Sequence, residues 1–510
     1  MRTEGIPGTV RQLIRSWVPA RLRGRVQYKW IALSVTTLGA LMAAIDSTIV
    51  ILGLPSMMTE LHAGLIEMVW VIIGYLLVST VFLLTFGRIA DMLGRTRLYN
   101  LGFVVFTFGS LLCGLSGTAV QLILFRLVQG AGAAMMLVNS MAILTEVFPP
   151  NERGRALGIN GITWAAGGII GPVLGGLILS VSSWRWIFFI NIPIGIVGAL
   201  WGYIALHEKS ERPRGERFDA SGAAIFSVGL LALLLALTSG IQYRFTSAPI
   251  LGLFAVFAVA TVAFIARERR ARCPTLDLSL FRNRVYNFSV LAATMQSLAL
   301  FSVNFMIVFY LQGVRGYDPL KAALLLIPMP LLSSVIGPFS GVVADRIGAR
   351  GPATLGLLLQ AAALVGFMQL TPTTTYLQLA CGLTLMGLGG GMFFPPNTSA
   401  AMSAAPRERL GVASATLGTM RQTGMVVSFA LSLAVAASSL PRDAMLQLFV
   451  GTSVSLGSTV MQEFVFGMHR AFLVSFILCL VAAGFSIVRG REARTSAAGL
   501  LATAPREPSD

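Results

Sequence analysis

Lysine is almost missing from this chain of 510 residues: Lys29, Lys209 and Lys321 are all there is. None of the three closes a GxxxxGK loop, so energy from a phosphate-cradling P-loop is excluded. Histidine is equally scarce. His62, His207 and His469 are expected in separate loops, without HExxH spacing or paired carboxylates beside them, which argues against a membrane-embedded enzyme. Of the four cysteines, Cys113, Cys381 and Cys479 fall inside apolar runs, while Cys273 lies in a loop with no CxxC or Cys/His pattern. Neither a disulfide framework nor a zinc site follows from such spacing. Charged residues make up only 12% of the chain.

Long apolar runs fill the space that charge leaves. Hydrophobic residues reach 55% and the mean hydropathy is +0.78, beyond an ordinary soluble domain. Segments near the roughly 20 residues needed to cross hydrocarbon recur at 29–53, 68–87, 98–117, 119–144, 157–180, 186–206, 221–241, 248–266, 286–312, 320–343, 352–371, 374–398, 410–438 and 470–488. These fourteen spans predict an all-α integral membrane protein whose partner is the lipid bilayer. The first run begins after residue 28 and is long enough to span, so no cleavable signal peptide is expected.

The net charge of +17 is informative only through its distribution. With the N-terminus placed inside, thirty Lys and Arg side chains fall in inner segments and six in outer ones, while Arg126 and Arg421 lie within spans. Such asymmetry is the positive-inside bias, and it puts both termini in the cytoplasm. The basicity therefore reports topology, and a nucleic-acid partner is not expected. A bacterial plasma membrane is the expected location.

The halves of the chain echo one another. GRIADMLGRTR (87–97) and GVVADRIGARG (341–351) repeat Gly87, Asp91 and Gly94 as Gly341, Asp345 and Gly348. PPNERGRA (149–156) similarly answers APRERLGV (405–412). This predicts two parallel six-helix repeats, suited to alternating access around a midplane site. The expected organisation is an N-terminal segment 1–28, a bundle 29–206, linkers with two extra spans 207–285, a second bundle 286–489 and a disordered tail 490–510. The basic, partly apolar stretch 267–284 and the N-terminal segment each fit either a helix on the inner membrane surface or a solvated linker. The outer segment 439–470, with LQLFV and MQEFVFGM, fits either short amphipathic helices or a fold over the outer face.

Asp46, within AAIDSTIV, is the carboxylate that falls well inside a span. Insertion of such a group costs about 2.5–3.5 kcal/mol, so a partner is expected. Counted from the outer ends of their spans, Asp46 and Arg126 both lie seven residues deep, roughly 10 Å at 1.5 Å per residue. Apolar surroundings raise a carboxyl pKa and a nearby cation lowers it, the balance a reversible proton carrier needs; a purely structural pair is the plainer alternative. Gly167, Gly171 and Gly175 recur every four residues with Pro172 among them, a smooth face for close helix packing. Gly87 suits a contact where the halves meet. Asp91 suits a cap or a pair with Arg95 or Arg97, in a cluster that also sets topology. Arg421 lies midway along its span without a matching acid, which suits carbonyl partners or an anionic cargo group. Asn139, Asn160, Gln296, Asn304 and Asn397, among Met and Phe side chains, are expected to line a cavity for amphipathic cargo.

These motifs resemble the major facilitator superfamily and, within it, the fourteen-span drug:proton antiporter family, over about residues 29–490. DSTIVILGLP (46–55) looks like the first-span motif, GRIADMLGRTR like the loop motif and RLVQGAGAA (126–134) like the fourth-span motif. GGIIGPVLGG (167–176) is similar to the antiporter motif, and WRWIFFINIPIG (184–195) to the segment opening the sixth span. Ile51 stands where the first-span motif usually has Asn, so a polar substrate contact is not carried over there. The resemblance implies proton transfer at Asp46 and Arg126, and a conformational latch at Gly87, Asp91, Gly94, Arg95, Arg97, Gly341, Asp345 and Gly348. It also implies an antiporter gate at Gly167, Gly171, Pro172, Gly175 and Gly176. The implied function is export of amphipathic drugs or toxic compounds in exchange for protons, with no cofactor and, in a Gram-negative cell, a possible periplasmic adaptor. Export of an endogenous metabolite, lipid or siderophore is the alternative; a sensor without transport would need no proton-coupling acid.

Overall fold

In hydrocarbon a main-chain N–H or C=O has no water to turn to, so each apolar run must satisfy its own backbone, and helices do this within one segment. The computed structural model describes residues 28–148, 152–207, 220–271, 276, 278–406, 410–437 and 458–490. Its helices are α1 (Tyr28–Leu61), α2 (Leu65–Leu93), α3 (Arg95–Gly114), α4 (Ala119–Val147), α5 (Arg153–Val181), the short α6 (Trp186–Phe189), α7 (Asn191–Ala205), α8 (Ala220–Tyr243), α9 (Ala248–Arg270), α10 (Arg284–Phe309), α11 (Pro319–Leu325), α12 (Pro328–Ile347), α13 (Arg350–Phe367), α14 (Tyr376–Ser403), α15 (Leu410–Ala437) and α16 (Ser458–Val488). Thirteen segments among the described residues are long and apolar enough to cross a bilayer. A fourteenth helix of 28 residues, α15, carries Arg421 and Gln422 at its middle.

Local chemistry sets several boundaries. Thr118 Oγ1 accepts from Gln121 N at 3.2 Å and starts α4; Asn283 Oδ1 accepts from Val285 N at 2.9 Å and starts α10. Pro328 is the first residue of α12 and separates it from α11, because proline offers no N–H to continue the ladder. The span predicted at 320–343 is therefore two helices. The predicted 186–206 likewise divides into α6 and α7. At the other end of the chain, α16 begins at Ser458 and not near residue 470, so MQEFVFGM belongs to the last long helix. His469 stands on that helix and not in a loop, its Nε2 2.8 Å from Leu370 O. LQLFV, Cys273, the N-terminal segment and the C-terminal tail lie outside the described residues.

The two halves repeat one packing pattern. In the first, α3 and α2 both pack on α4, and α1 packs on α5; in the second, α13 and α12 pack on α14, and α10 packs on α15. The repeated loop motif has the same backbone in each copy. Gly94 (φ 107°) and Gly348 (φ 91°) end α2 and α12 in a conformation that a Cβ would strain. The inserted pair behaves differently: α9 packs on α8, and α8 lies against both α2 and α15, where the halves adjoin.

α5 is the element in contact with everything that matters nearby. A Cβ at Gly171 would stand 2.1 Å from Thr48 Oγ1 and 3.0 Å from Ile45 O on α1, and one at Gly176 would stand 2.5 Å from Leu320 Cα on α11. One face of this helix thus meets α1 around Asp46, and another meets the second half. Pro172 sits inside α5 without ending it. Because Gly171 admits no side chain, Gly171→Ala should lower the stability of the purified protein by about 1–3 kcal/mol, seen as a lower melting temperature. Gly161→Ala, on the same helix with nothing within 4 Å, should be neutral or raise it slightly.

Candidate functional site

Asp46 stands near the middle of α1 with no exposed surface, and Arg126, on α4, is 1% exposed. Arg126 Nη1 donates to Asp46 Oδ2 at 2.6 Å. The same nitrogen donates to Gln129 Oε1 at 2.7 Å, and Arg126 Nε donates to Val71 O of α2 at 3.1 Å. Tyr75, one turn further along α2, places its ring 4.1 Å from the guanidinium carbon. Gln129 lies three residues after Arg126, on the same helical face, and its Nε2 donates to Asp46 Oδ1 at 2.9 Å. Asn191, the first residue of α7, donates from Nδ2 to Asp46 Oδ1 at 3.1 Å and to Ser110 Oγ at 3.1 Å. Ser110 Oγ in turn donates to Phe188 O at 2.8 Å. Cys113 Sγ reaches Gln129 Oε1 at 3.8 Å.

The backbone explains how so many elements converge. Gly130 packs against α2 so closely that a Cβ there would lie 2.6 Å from Tyr75 O; that approach brings Val71 O within reach of Arg126. Two lone charges at this depth would together cost about 5–7 kcal/mol on an insertion scale. Pairing, with further hydrogen bonds to both partners, offsets that penalty; removing one partner of such a pair leaves the other uncompensated, at about 3–5 kcal/mol. The site can therefore hold a carboxylate away from water and present it with donors from three side chains.

Counting depth along the spans brings Asp46 and Arg126 together on the page, and the structure has them in contact. It adds Gln129, Asn191 and Ser110, none of which the sequence reading singled out. A signal existed for two of them: Gln129 lies one turn past Arg126 inside RLVQGAGAA, and Asn191 interrupts the apolar WRWIFFINIPIG.

The other predicted residues fall elsewhere. Asn160 lines a small cleft together with Gly39, Ala40, Met136, Leu137, Ser140, Met141 and Trp164; its Nδ2 donates to Ser140 Oγ at 3.2 Å. Asn139, expected in the cavity, is buried and donates to Met135 O of its own helix at 2.7 Å. Gln296 is buried and donates to Gln360 Oε1 at 3.4 Å. Asn397 is held between Ser289 O at 3.0 Å and Arg489 Nη1 at 3.2 Å. Gln296 and Asn397 thus serve contacts between helices and Asn139 bonds within its own, because a buried amide takes whatever partner is nearest. Asn304 is half-buried on α10. Arg421 is half-buried, its guanidinium carbon 5.8 Å from the Phe394 ring, with no carboxylate paired to it among the described residues.

The latch residues are only partly brought together. Arg95 Nη1 lies 3.6 Å from Glu146 Oε2 of α4, and Arg97 is exposed. A Cβ at Gly87 would meet Val138 of α4 at 3.2 Å, and one at Gly341 would meet Pro395 of α14 at 3.9 Å. Both glycines thus face their own half, not the contact between halves that was expected of Gly87. α3 takes Gly94 as its N-cap with no side-chain bond; the side chains of Asp91 and Asp345 lie outside the described ones.

Comparison with known proteins agrees with this architecture. Residues 36–429 match the family model described as Major Facilitator Superfamily. The chain is 34% identical to the multidrug resistance protein Stp of Mycobacterium tuberculosis, over 79% of this chain and 74% of that protein. It is 32% identical to the tetracenomycin C resistance and export protein of Streptomyces glaucescens, over 81% and 76%. It is also 32% identical to the riboflavin transporter RibZ of Clostridioides difficile, over 80% and 88%. Among solved structures, an inward-facing bacterial homolog of the human lysosomal transporter Spinster superposes with a TM-score of 0.62 at 16% identity, covering 91% of this chain and 97% of that one. The xylose transporter XylE of E. coli superposes with a TM-score of 0.59 at 13% identity, covering 90% and 97%. With its fold, its repeated helix pairing and a family match over most of its length, this chain belongs to the Major Facilitator Superfamily.

Proposed function

We propose that this transporter exports amphipathic compounds across a bacterial plasma membrane in exchange for protons, with both termini in the cytoplasm. One observation carries the proton-coupled part: a carboxylate with no exposed surface, held against a guanidinium at 2.6 Å inside a helix bundle. A group so placed changes its charge only when its surroundings change, which is what coupling a proton to alternating access requires. The relatives named as multidrug resistance and export proteins support the cargo class. The thioether and indole side chains beside Asn160 offer adaptable contacts to such cargo. The riboflavin transporter among the relatives supports a second reading, in which the cargo is an endogenous metabolite.

The two readings and the coupling itself separate in everted vesicles with a preset pH gradient. A coupled substrate should dissipate the gradient, and a panel of amphipathic drugs and metabolites should divide by which compounds do so. Asp46→Asn, compared at equal amounts of protein in the membrane, should lose uphill efflux; unchanged proton-driven efflux in that variant would remove the coupling role. Arg126→Lys should lower the rate by about tenfold or more, because an ammonium cannot serve Asp46, Gln129 and Val71 O in the guanidinium's fixed geometry, and one lost charge-assisted bond is worth about 1.5–3 kcal/mol. Arg421→Ala should impair anionic or zwitterionic compounds more than cationic ones in the same assay. Equal impairment of all classes would make Arg421 a packing residue.

A further inference from the structure

The carboxylate of Asp46 is surrounded by donors: Arg126 Nη1 on Oδ2, and Gln129 Nε2 and Asn191 Nδ2 on Oδ1. That arrangement fits the ionised form. A protonated carboxyl carries an O–H and needs an acceptor. Arg126 has none. Gln129 Oε1 already takes Arg126 Nη1 and the Cys113 thiol. Asn191 Oδ1, in a side chain with no exposed surface, accepts no hydrogen bond among the described residues.

We propose that the side-chain amide of Asn191 is a two-position switch that reads the charge on Asp46, presenting Nδ2 to the carboxylate and Oδ1 to the carboxylic acid. A rotation of about 180° about the terminal torsion exchanges the two, and that torsion is intrinsically two-fold. Proton uptake then turns the amide and breaks both Nδ2 bonds, to Asp46 and to Ser110. Ser110 is the group that answers. With Oδ1 now facing it, its hydroxyl turns to donate there and releases Phe188 O, the carbonyl it holds at 2.8 Å. Phe188 belongs to α6, and Asn191 opens α7, so the charge on α1 is passed to the bend between those two helices. The titratable groups around Asp46 are Arg126 from α4, Tyr75 from α2 and Cys113 from α3; α5 and α7 present glycine and amide groups respectively. Asn191 is thus a positioning residue, and its role rests on Asp46 being the proton site.

Infrared titration of the full-length protein in liposomes, with protons as the only ligand, tests this directly. The carboxyl band absent from Asp46→Asn identifies the acid, and isotope-labelled asparagine reports the amide. The Asp46 carboxyl band should change as the pH is varied, and one asparagine amide band should shift with the same midpoint. Asn191→Leu should abolish that amide band and raise the midpoint by about one pH unit or more, since a donor to the charged form is gone. If Asn191→Leu does not fold, Asn191→Ala gives the same reading. An Asp46 midpoint that does not move on substitution, or an amide band indifferent to it, overturns the switch while leaving the proton site intact. A wild-type Asp46 that never titrates overturns both.

Discussion

A charge that cannot reach water has to be answered by the protein, and the contact between Asp46 and Arg126 is where this chain meets that demand. The guanidinium has five donors in a rigid fork, and through Nη1 and Nε it reaches a carboxylate, a glutamine and a main-chain carbonyl at once. That requires α1, α2 and α4 to hold fixed distances from one another. The small residues that line their contacts follow from the requirement: Gly130 lets α2 lie against α4, and Gly171 lets α5 lie against α1. Polar chemistry at the centre thus goes with steric rules within about a turn of it.

Depth along a span was legible in the sequence, because each residue adds a fixed rise and the apolar run marks the surface. Asp46 and Arg126 could be matched on that basis without knowing where either helix stood. Azimuth was less legible. The amides of Asn139, Gln296 and Asn397 have the composition of a cargo cavity, yet each is buried and donates to a nearby group: a carbonyl of its own helix, a neighbouring amide and a carbonyl of another helix respectively. Asn191 was missed for the opposite reason: an asparagine at the start of a helix ordinarily serves the backbone, and nothing local says that this one reaches across to another helix. Breaks such as that between α11 and α12 were hidden because a hydropathy run does not register a proline in its middle.

The second half shows what a duplication keeps and what it lets go. Helix pairing and the positive φ at Gly94 and Gly348 survive in both copies. The buried ion pair does not: α15 occupies the place that α5 has in the first half and brings a cation, Arg421, with an aromatic ring and no carboxylate beside it among the described residues. Scaffold geometry is common to the two bundles, while charge is assigned separately to each. The two bundles thus share a scaffold and differ in how a buried charge is answered.

The two-faced packing of α5 also limits how this protein can evolve. Where helices rest this closely, a new side chain finds no volume, and a compensating change would have to come from the helix packed against it. Change is therefore more readily accommodated on walls that carry side chains, such as the methionine and tryptophan surface beside Asn160. Sequence drift leaves the glycine rows untouched and records its history on that softer surface.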